Sequence, residues 1–219
     1  MGLVSLLALL LVAACPRGFD AVENACVVIP PKATATLIYF HGMLPGTTDW
    51  SNVRELKLLG TEAKKRGVAL IAPLGEQGLC PWATEHWCWP NDRSQLAHVE
   101  RVVKRLPRVT GKPVLAGFSN GGYFVTLLAT DSSIDAAAYV VMHAGPVTGS
   151  VFTPERARPT LLLGATHDVY QLPGMKRLAE LLPEARFTIR NGVHEVTQED
   201  VKALFDFVTS LSSRRGEGP

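Results

Sequence analysis

The segment Gly-Phe-Ser-Asn-Gly-Gly at residues 117–122 decides how this chain is interpreted, because it places a serine between two glycines. An apolar run suited to a β-strand, residues 113–116, precedes it, and a run suited to a helix, residues 123–129, follows it. On such a strand–turn–helix the serine adopts a strained conformation that lifts its hydroxyl above the sheet edge, and only small residues fit two positions away. Ser119 is therefore a candidate nucleophile. A helix N-cap is the simpler alternative, but a cap does not need glycines on both sides.

Two partners for this serine follow from the chain order serine, acid, histidine in which such triads occur. Asp168 closes an apolar run, residues 160–167, so it falls at the carboxyl end of a predicted strand, where open α/β sheets gather functional groups. His194 is the one histidine in the sequence after Asp168. The alternatives are a helix cap for Asp168 and a solvated loop histidine for His194. Weaker candidates for the acid, none of which ends a strand-like run, are Glu155, Glu180 and Glu184.

These residue types carry complementary chemistry. An imidazole can take the proton of a serine hydroxyl during attack and return it to the leaving group, and a buried carboxylate fixes the imidazole tautomer and stabilises its charged form. The resulting oxyanion needs preorganised donors. We expect the backbone N–H of Asn120 to be one donor, and that of Met43, in the His-Gly-Met-Leu-Pro-Gly segment after the strand-like run 34–40, to be the other.

Taken in order, the motifs resemble those of the α/β-hydrolase family. They are the His-Gly pair at residues 41–42 after an early strand, the turn around Ser119, the strand leading to Asp168 and the late His194. The resemblance extends roughly over residues 34–210. It implies a serine hydrolase in which these three side chains form the catalytic triad.

The resemblance also implies a fold and a substrate class. The fold is α/β, a mostly parallel sheet covered by helices on both faces, with Met43 and Asn120 as oxyanion donors and no metal or cofactor. The chain looks most similar to small secreted esterases, including the feruloyl-esterase and polyhydroxyalkanoate-depolymerase-like group, so we expect a small-molecule or polymer carboxylic ester as substrate. A peptidase or thioesterase would use the same triad, and a non-catalytic binding module could share the fold.

Strand-like and helix-like runs alternate along the chain, as in a parallel sheet covered on both faces. Further strands are predicted at residues 68–72, 137–142 and 186–189, and helices near 50–66, 93–106, 174–182 and 198–211. The intervals between these elements are too short for an inserted cap domain. The predicted organisation is a signal segment at 1–15, an N-terminal segment with one edge strand near Cys26 at 16–33, a catalytic domain at 34–211 and a flexible tail at 212–219.

Composition supports a single enzyme domain with a small substrate. The 219 residues are 47% hydrophobic and 19% charged, which suits one hydrophobic core. The formal net charge of +2 does not indicate a nucleic-acid surface, so we expect no nucleic-acid partner.

The N-terminus predicts export. Residues 3–14 are almost wholly apolar, too short to span a bilayer and suited to the hydrophobic part of a secretory signal. The Leu-Val-Ala-Ala-Cys run at 11–15 resembles the lipobox of bacterial lipoproteins, which predicts lipidation of Cys15 and a membrane tether at the cell envelope. No Lys or Arg precedes this run, a departure from the usual signal. The alternatives are cleavage without a lipid, giving a secreted protein, and an apolar helix packed on the body.

Cysteine usage fits an oxidising compartment. Cys80 and Cys88 flank a short loop and are predicted to form a disulfide. Cys26 would then be a buried free thiol if Cys15 is lipidated. A zinc site from Cys80, His86 and Cys88 lacks an evident fourth ligand, and its spacing matches no common structural site.

The loop that contains this cysteine pair holds three of the four tryptophans, Trp82, Trp87 and Trp89. We predict that they line an acyl or aryl pocket beside Ser119, the alternative being a hydrophobic plug over the sheet end. His41 is grouped with them as a substrate-site candidate, with shaping of the oxyanion loop by hydrogen bonding as its main expected part. Two further histidines are expected beside the site, without a role: His143 and His167.

Overall fold

A computed structural model describes residues 14–80, 82–107 and 109–213. Residues 1–13 of the predicted signal segment and residues 214–219 of the predicted tail lie outside the described residues. The strands are β1 (Asp20–Val22), β2 (Ala25–Val28), β3 (Ala35–Phe40), β4 (Val68–Pro73), β5 (Val114–Phe118), β6 (Ala138–Met142), β7 (Thr160–Ala165) and β8 (Arg186–Arg190). The α-helices are α1 (Arg54–Arg66), α2 (Arg93–Arg105), α3 (Asn120–Asp131), α4 (Leu172–Leu181) and α5 (Gln198–Ser213).

The strands form one sheet in the order β1-β2-β4-β3-β5-β6-β7-β8. Strands β3 to β8 pair in parallel, whereas β1 and β2 form an antiparallel hairpin whose second strand pairs antiparallel with β4. This confirms the predicted α/β fold. A strand does form at Cys26, namely β2, but the prediction of a single strand at the edge is wrong, because β1 pairs with the outer side of β2 and forms the edge. The chain moves from β3 outward to β4 and returns to β5 on the other side of β3. Ligands of open α/β sheets bind at such a reversal, outside the carboxyl ends of the strands.

Helices cover both faces of the sheet, because alternate strand residues point to opposite sides. Along β3, Leu37 and Tyr39 belong to a buried cluster with residues of α1 and α5. Ile38 and Phe40 belong to a second cluster with residues of α2, α3 and α4. Strands buried on both faces read as nearly continuous apolar runs, which is why the sequence predicted them well.

The first predicted helix is divided in the structure. A 3-10 turn at Trp50–Asn52 is capped by Asp49, whose carboxylate accepts the Ser51 N–H at 2.9 Å. Val53 is extended, and α1 begins at the next residue. Local capping therefore interrupts a helix that apolar periodicity alone had predicted as continuous over residues 50–66.

Two disulfides join the cysteines in pairs. The Cys80–Cys88 bond confirms the prediction, and it excludes zinc at these sulfurs because metal ligation requires thiolates. The second bond joins Cys15 to Cys26, so the expectation of a lipid on Cys15 and a free thiol at Cys26 is wrong in this structure. A sulfur in a disulfide has no valence left for the thioether of a lipid. Among the described helices, none combines the length and hydropathy that a bilayer crossing requires.

Candidate active site

Ser119 lies in the turn between β5 and α3, with φ 52° and ψ −117°. Its N–H bonds to the Met142 carbonyl at 2.9 Å, and its side chain makes no N-cap hydrogen bond to α3. A Cβ at Gly117 would collide with the Gly121 backbone, and one at Gly121 would collide with the Phe40 carbonyl. The structure thus has the tight, strained turn that the sequence predicts, with the serine hydroxyl free for another partner.

The structure brings together the three side chains selected from chain order. The Ser119 hydroxyl lies 2.9 Å from Nε2 of His194, and Nδ1 of His194 lies 2.7 Å from Oδ2 of Asp168. The Asp168 side chain is 2% exposed, whereas that of His194 is 36% exposed. The carboxylate is buried while the imidazole can be reached from solvent, as an acid–base relay to a bound molecule requires.

The environment of Asp168 keeps its carboxyl group ionised. Burial by itself would raise the pKa of Asp168, but hydrogen bonds from His194 and His143 outweigh it and hold the pKa below its ordinary value. An ionised carboxylate only accepts hydrogen bonds, so the Nδ1 atom of His194 carries the proton and Nε2 faces the Ser119 hydroxyl as an acceptor. This tautomer is the one that can remove the serine proton.

The loop that carries His194, residues 191–197, is fixed by a buried ion pair that sequence reasoning missed. Nε of Arg190 lies 2.8 Å from Oδ2 of Asp200, and the two side chains are 5% and 4% exposed. Another guanidinium nitrogen donates to the carbonyls of Val193 and Glu195, at 3.3 and 2.6 Å. Arg190 therefore binds the backbone on both sides of His194. Its position at the end of β8 was the available signal, but arginines at strand ends are common.

The two predicted oxyanion donors follow the carboxyl ends of two paired strands, Met43 after β3 and Asn120 after β5. Asn120 is the first residue of α3, and Met43 lies in the His-Gly loop, residues 41–46. Within the described part of the chain, the backbone N–H of neither residue has a hydrogen-bond partner. A Cβ at Gly42 would lie 3.4 Å from that of Ser119, so the loop passes directly beside the nucleophile turn.

His41 holds the His-Gly loop in place by hydrogen bonds. It is fully buried, its Nε2 accepts the Gly75 N–H at 2.9 Å, and its Nδ1–H donates to the Gly42 carbonyl. Burial lowers the pKa of His41 to about 4, so the ring is neutral. The expected loop-shaping part fits these contacts, whereas its grouping with substrate-binding residues is wrong because the ring has no accessible surface.

The tryptophans divide into three environments. Trp89 is 2% exposed, stacks on Phe124 with ring centroids 5.4 Å apart and donates to the His41 carbonyl. The prediction that Trp89 lines a pocket is therefore wrong, because its indole belongs to the core. Trp87 is half-buried and donates to the Gly46 carbonyl at 3.3 Å, whereas Trp82 is 76% exposed. Contact of Trp82 and Trp87 with substrate stays a prediction.

The segment that carries these three tryptophans, residues 74–92, is called the aromatic loop. It is hydrogen-bonded both to the His-Gly loop and to the first residue of α3. Leu44 and Trp87 exchange two backbone hydrogen bonds, at 3.2 and 2.8 Å. The Asn120 side chain accepts the Trp89 N–H at 2.7 Å and donates to the Trp89 carbonyl at 3.1 Å. The bonding of the Asn120 side chain to Trp89 was not predicted, because the sequence indicated a role only for the backbone N–H of Asn120.

The two further histidines expected beside the site, His143 and His167, differ in their contacts with it. His143 is fully buried, and its Nδ1 lies 2.7 Å from Oδ2 of Asp168, the same oxygen that His194 contacts. His167 instead contacts the Asn191 side chain at 3.0 Å. The sequence offered no signal for the His143 contact beyond its place at the end of a predicted strand.

The same cluster has the residue types that could ligate a metal ion. Among the described residues, possible ligand atoms of His143, Asp168 and His194 lie within 4.8 Å of one another. Two ligands at about 2.1 Å from a tetrahedral zinc ion would be about 3.4 Å apart. The 2.7 Å contacts of both imidazoles with one oxygen are hydrogen bonds instead. The arrangement suits proton transfer better than metal binding.

A cavity of about 590 Å³ lies elsewhere, between β6, α4 and the segment 152–160. Its lining includes Tyr139, Phe152 and Leu178 but none of the three residues of the hydrogen-bonded relay. The strained serine and its charge-assisted hydrogen bonds point to the carboxyl edge of the sheet instead.

Comparisons with known proteins agree with the fold. No protein-family model and no curated protein matches the sequence. Est1E of Butyrivibrio proteoclasticus aligns with TM-score 0.60 and 16% identity, over 91% of this chain and 100% of its own. SOBER1 of Arabidopsis thaliana aligns with TM-score 0.61 and 13% identity, over 81% and 98%. The serine hydrolase FphF of Staphylococcus aureus aligns with TM-score 0.57 and 16% identity, over 91% and 96%. The chain therefore has the α/β-hydrolase fold, the fold of several esterases and serine hydrolases.

Proposed function

We propose that this protein is a serine hydrolase that cleaves carboxylic esters through an acyl-enzyme intermediate. One observation carries the proposal: the hydrogen-bonded series from the Ser119 hydroxyl through His194 to the buried Asp168, built on a serine with positive φ. A strained serine that does not cap its helix has no evident structural use, and the imidazole tautomer fixed by Asp168 suits a general base.

In the proposed reaction, Nε2 of His194 takes the hydroxyl proton as Ser119 Oγ attacks the ester carbonyl carbon. The N–H groups of Met43 and Asn120 bind the oxyanion of the tetrahedral intermediate. When the carbon–oxygen bond to the alcohol breaks, the imidazolium returns its proton to the leaving alkoxide. Water then attacks the acyl-enzyme with the same base, releasing the carboxylic acid and restoring the serine.

The surroundings of the proposed triad favour esters with apolar or aromatic parts. Exposed apolar side chains adjoin its members in the chain: Val169 and Tyr170 after Asp168, Val193 before His194 and Met43 in the His-Gly loop. Est1E, which shares the fold, has been solved with bound ferulic acid, an aromatic acid. Polymer esters belong to the proposed substrate class as well, because the proposed nucleophile lies in a loop-bordered site that is open to solvent.

We further propose that the protein is exported and secreted. Disulfides persist in oxidising compartments, and all four cysteines are paired. The apolar run at residues 3–14 supplies a candidate secretory signal. Mass spectrometry of protein recovered from culture medium tests this: a mature chain that lacks the apolar run, retains Cys15 and carries no lipid supports secretion, whereas retention of the apolar run contradicts cleavage.

The function is tested by hydrolysis of aryl esters from acetate to long acyl chains, with wild-type protein and Ser119→Ala side by side. We expect activity that falls by at least about 10³-fold in the variant. Ser94→Ala, a change at an exposed serine of α2, should leave the rates unchanged. Wild-type inactivity on every ester, with cleavage of peptides or thioesters instead, would reassign the substrate class. Equal ester activity in Ser119→Ala would overturn the proposal.

A further inference from the structure

His143 is a buried residue that contacts the proposed triad without belonging to it. It directly follows β6, which lies in the sheet between β5, the strand before Ser119, and β7, the strand before Asp168. Its ring packs against Phe118, with centroids 5.6 Å apart, and against His194, with centroids 5.4 Å apart. Three neighbouring strands therefore deliver the nucleophile, this histidine and the acid to one edge.

The proton on this ring can be placed from its contacts. Nδ1 lies 2.7 Å from the Asp168 carboxylate, which can only accept, so Nδ1 carries a proton. Nε2 is buried and has no hydrogen-bond partner among the described residues. Burial lowers the pKa of His143, and this outweighs the hydrogen bond to Asp168. The ring is thus a neutral donor whose other nitrogen is left with an unused lone pair.

The backbone at His143 is unusual as well. Its φ is 51°, a left-handed conformation in which Asn, Asp and His are the most common residues after glycine. Its N–H bonds to the Leu163 carbonyl at 2.9 Å, so pairing with β7 continues past the end of β6 and holds this conformation. The left-handed backbone of His143 and its buried Nδ1–H group together place the ring for one hydrogen bond, the bond to Asp168.

We propose that His143 is a positioning residue that orients the Asp168 carboxylate toward His194 and keeps it ionised. The inference rests on the proposed function. Oδ2 accepts from both imidazoles, while Oδ1 accepts, among the described residues, only a long bond of 3.4 Å from the Gln171 N–H. Without His143, the buried carboxylate would lose one of its two short hydrogen bonds and the contact that fixes its rotation. The His143 ring is neutral, so it can orient the carboxylate without adding a positive charge that would repel the imidazolium formed at His194.

Loss of His143 should change the pH dependence of activity in a defined direction. The ionisable groups facing this centre are Asp168, His194, Tyr123 and Asp200, and Asp200 is ion-paired with Arg190. Loss of the His143 donor raises the pKa of Asp168, so the coupled Asp168–His194 pair takes up its first proton at higher pH. The acid limb of the kcat/KM profile should therefore move to higher pH, by up to about one unit.

Three substitutions separate positioning from packing. His143→Asn keeps an N–H near the Nδ1 position and tolerates positive φ, so kcat/KM should stay within about threefold of wild type. His143→Leu has similar volume and no donor, and His143→Gly adopts positive φ without strain and has no donor. Both should lose about ten- to hundredfold in kcat/KM and show the shifted acid limb, the loss expected for one hydrogen bond to a charged group. If His143→Leu fails to fold, as judged by thermal unfolding, the comparison of His143→Gly with His143→Asn decides.

The same experiment distinguishes this proposal from the proposed function. Folded His143→Leu or His143→Gly with wild-type rates and an unmoved acid limb, in an assay that Ser119→Ala fails, overturns the role of His143 alone. An equal loss in all three His143 variants also overturns it. A readout independent of activity is the downfield proton NMR spectrum, in which two imidazole N–H signals are expected and one should vanish in His143→Leu. A spectrum unchanged by that substitution contradicts the contact itself.

Discussion

At the scale of single residues, Ser119 and His143 share one cause of strain. Both directly follow a parallel strand and have positive φ, at 52° and 51°. Each N–H bonds to a carbonyl of the next strand, Met142 for Ser119 and Leu163 for His143. The ladder therefore continues one residue beyond each strand, just where the chain must turn toward the next element. Strain of this kind gathers at functional sites because the surrounding structure overdetermines it.

Asp168→Asn tests the part of the acid at this scale. The amide is neutral, so it can present an N–H to His194 and stabilise the wrong tautomer, and it stabilises the imidazolium less. We expect kcat to fall by about 10³- to 10⁴-fold with KM nearly unchanged, measured on the best aryl ester of the series. A kcat within tenfold of wild type would remove Asp168 from the triad.

At the scale of elements, the loop carrying His194 is held by its flanks. Arg190 at the end of β8 and Asp200 in the first turn of α5 form the buried ion pair, and Asp200 also accepts from the N–H and hydroxyl of Thr197. The Asp200 carboxylate thus joins the start of α5 to both ends of the loop, through Arg190 and Thr197. The position of His194 therefore depends on this ion pair.

Asp200→Asn should loosen the loop and lower stability together. The substitution leaves the Arg190 guanidinium buried without an opposite charge, so we expect the free energy of unfolding to fall by about 3 kcal/mol, with a loss in kcat. Glu195→Gln is the matched control, because its ion pair with Arg54 has side chains 69% and 45% exposed and should be worth under about 1 kcal/mol. Urea unfolding of both variants gives the comparison, and equal losses would contradict it.

Helix α1 contributes a pH-dependent term to stability. Burial raises the pKa of Glu55 to about 7, from an ordinary value of 4.5. The folded state therefore binds a proton that the unfolded chain releases, and the resulting stability is fully present below pH 4.5 and is lost as pH rises through about 7. Over this window Glu55 should cost up to about 3 kcal/mol of stability. Glu55→Gln should remove most of this dependence in thermal unfolding from pH 5 to pH 8, and an unchanged slope would refute it.

At the scale of the whole molecule, the disulfides lie at different distances from the chemistry. Cys80–Cys88 closes part of the aromatic loop, which is hydrogen-bonded to Leu44 and Asn120 on the two sides of the site. Cys15–Cys26 instead fastens the N-terminal segment to β2, next to the edge of the sheet. Both constrain the unfolded chain, but only the first borders the proposed oxyanion donors.

Replacing each pair by serines should therefore separate stability from activity. Loops of this length predict a loss of about 2–3 kcal/mol for either pair, measured by chemical unfolding. Cys80→Ser with Cys88→Ser should also lower kcat, whereas Cys15→Ser with Cys26→Ser should leave kcat unchanged at temperatures where the protein is folded. Equal kcat in the two double variants would show that the aromatic loop does not support the site.

The sequence predicted the sheet and the three side chains of the proposed triad for the same reason. Buried parallel strands are continuous apolar runs, and the residues that matter come at or shortly after their carboxyl ends: Ser119 is the next residue after β5, and Asp168 is three positions after the end of β7. Contacts among residues far apart in the chain leave no such pattern. The approach of His143 to Asp168, the burial of Trp89 against Phe124 and the pairing of Cys15 with Cys26 depend on strand order and loop packing, which spacing does not encode.

The central claim is that Ser119 is a nucleophile activated by His194, and covalent labelling tests it most directly. The protein is treated with a fluorophosphonate, and adduct formation is followed by intact mass and located by peptide mapping. We predict one adduct per chain on Ser119, absent in Ser119→Ala and formed at least about 10²-fold more slowly in His194→Ala. No adduct on the folded wild-type protein, or equal labelling of Ser119→Ala, would contradict the account.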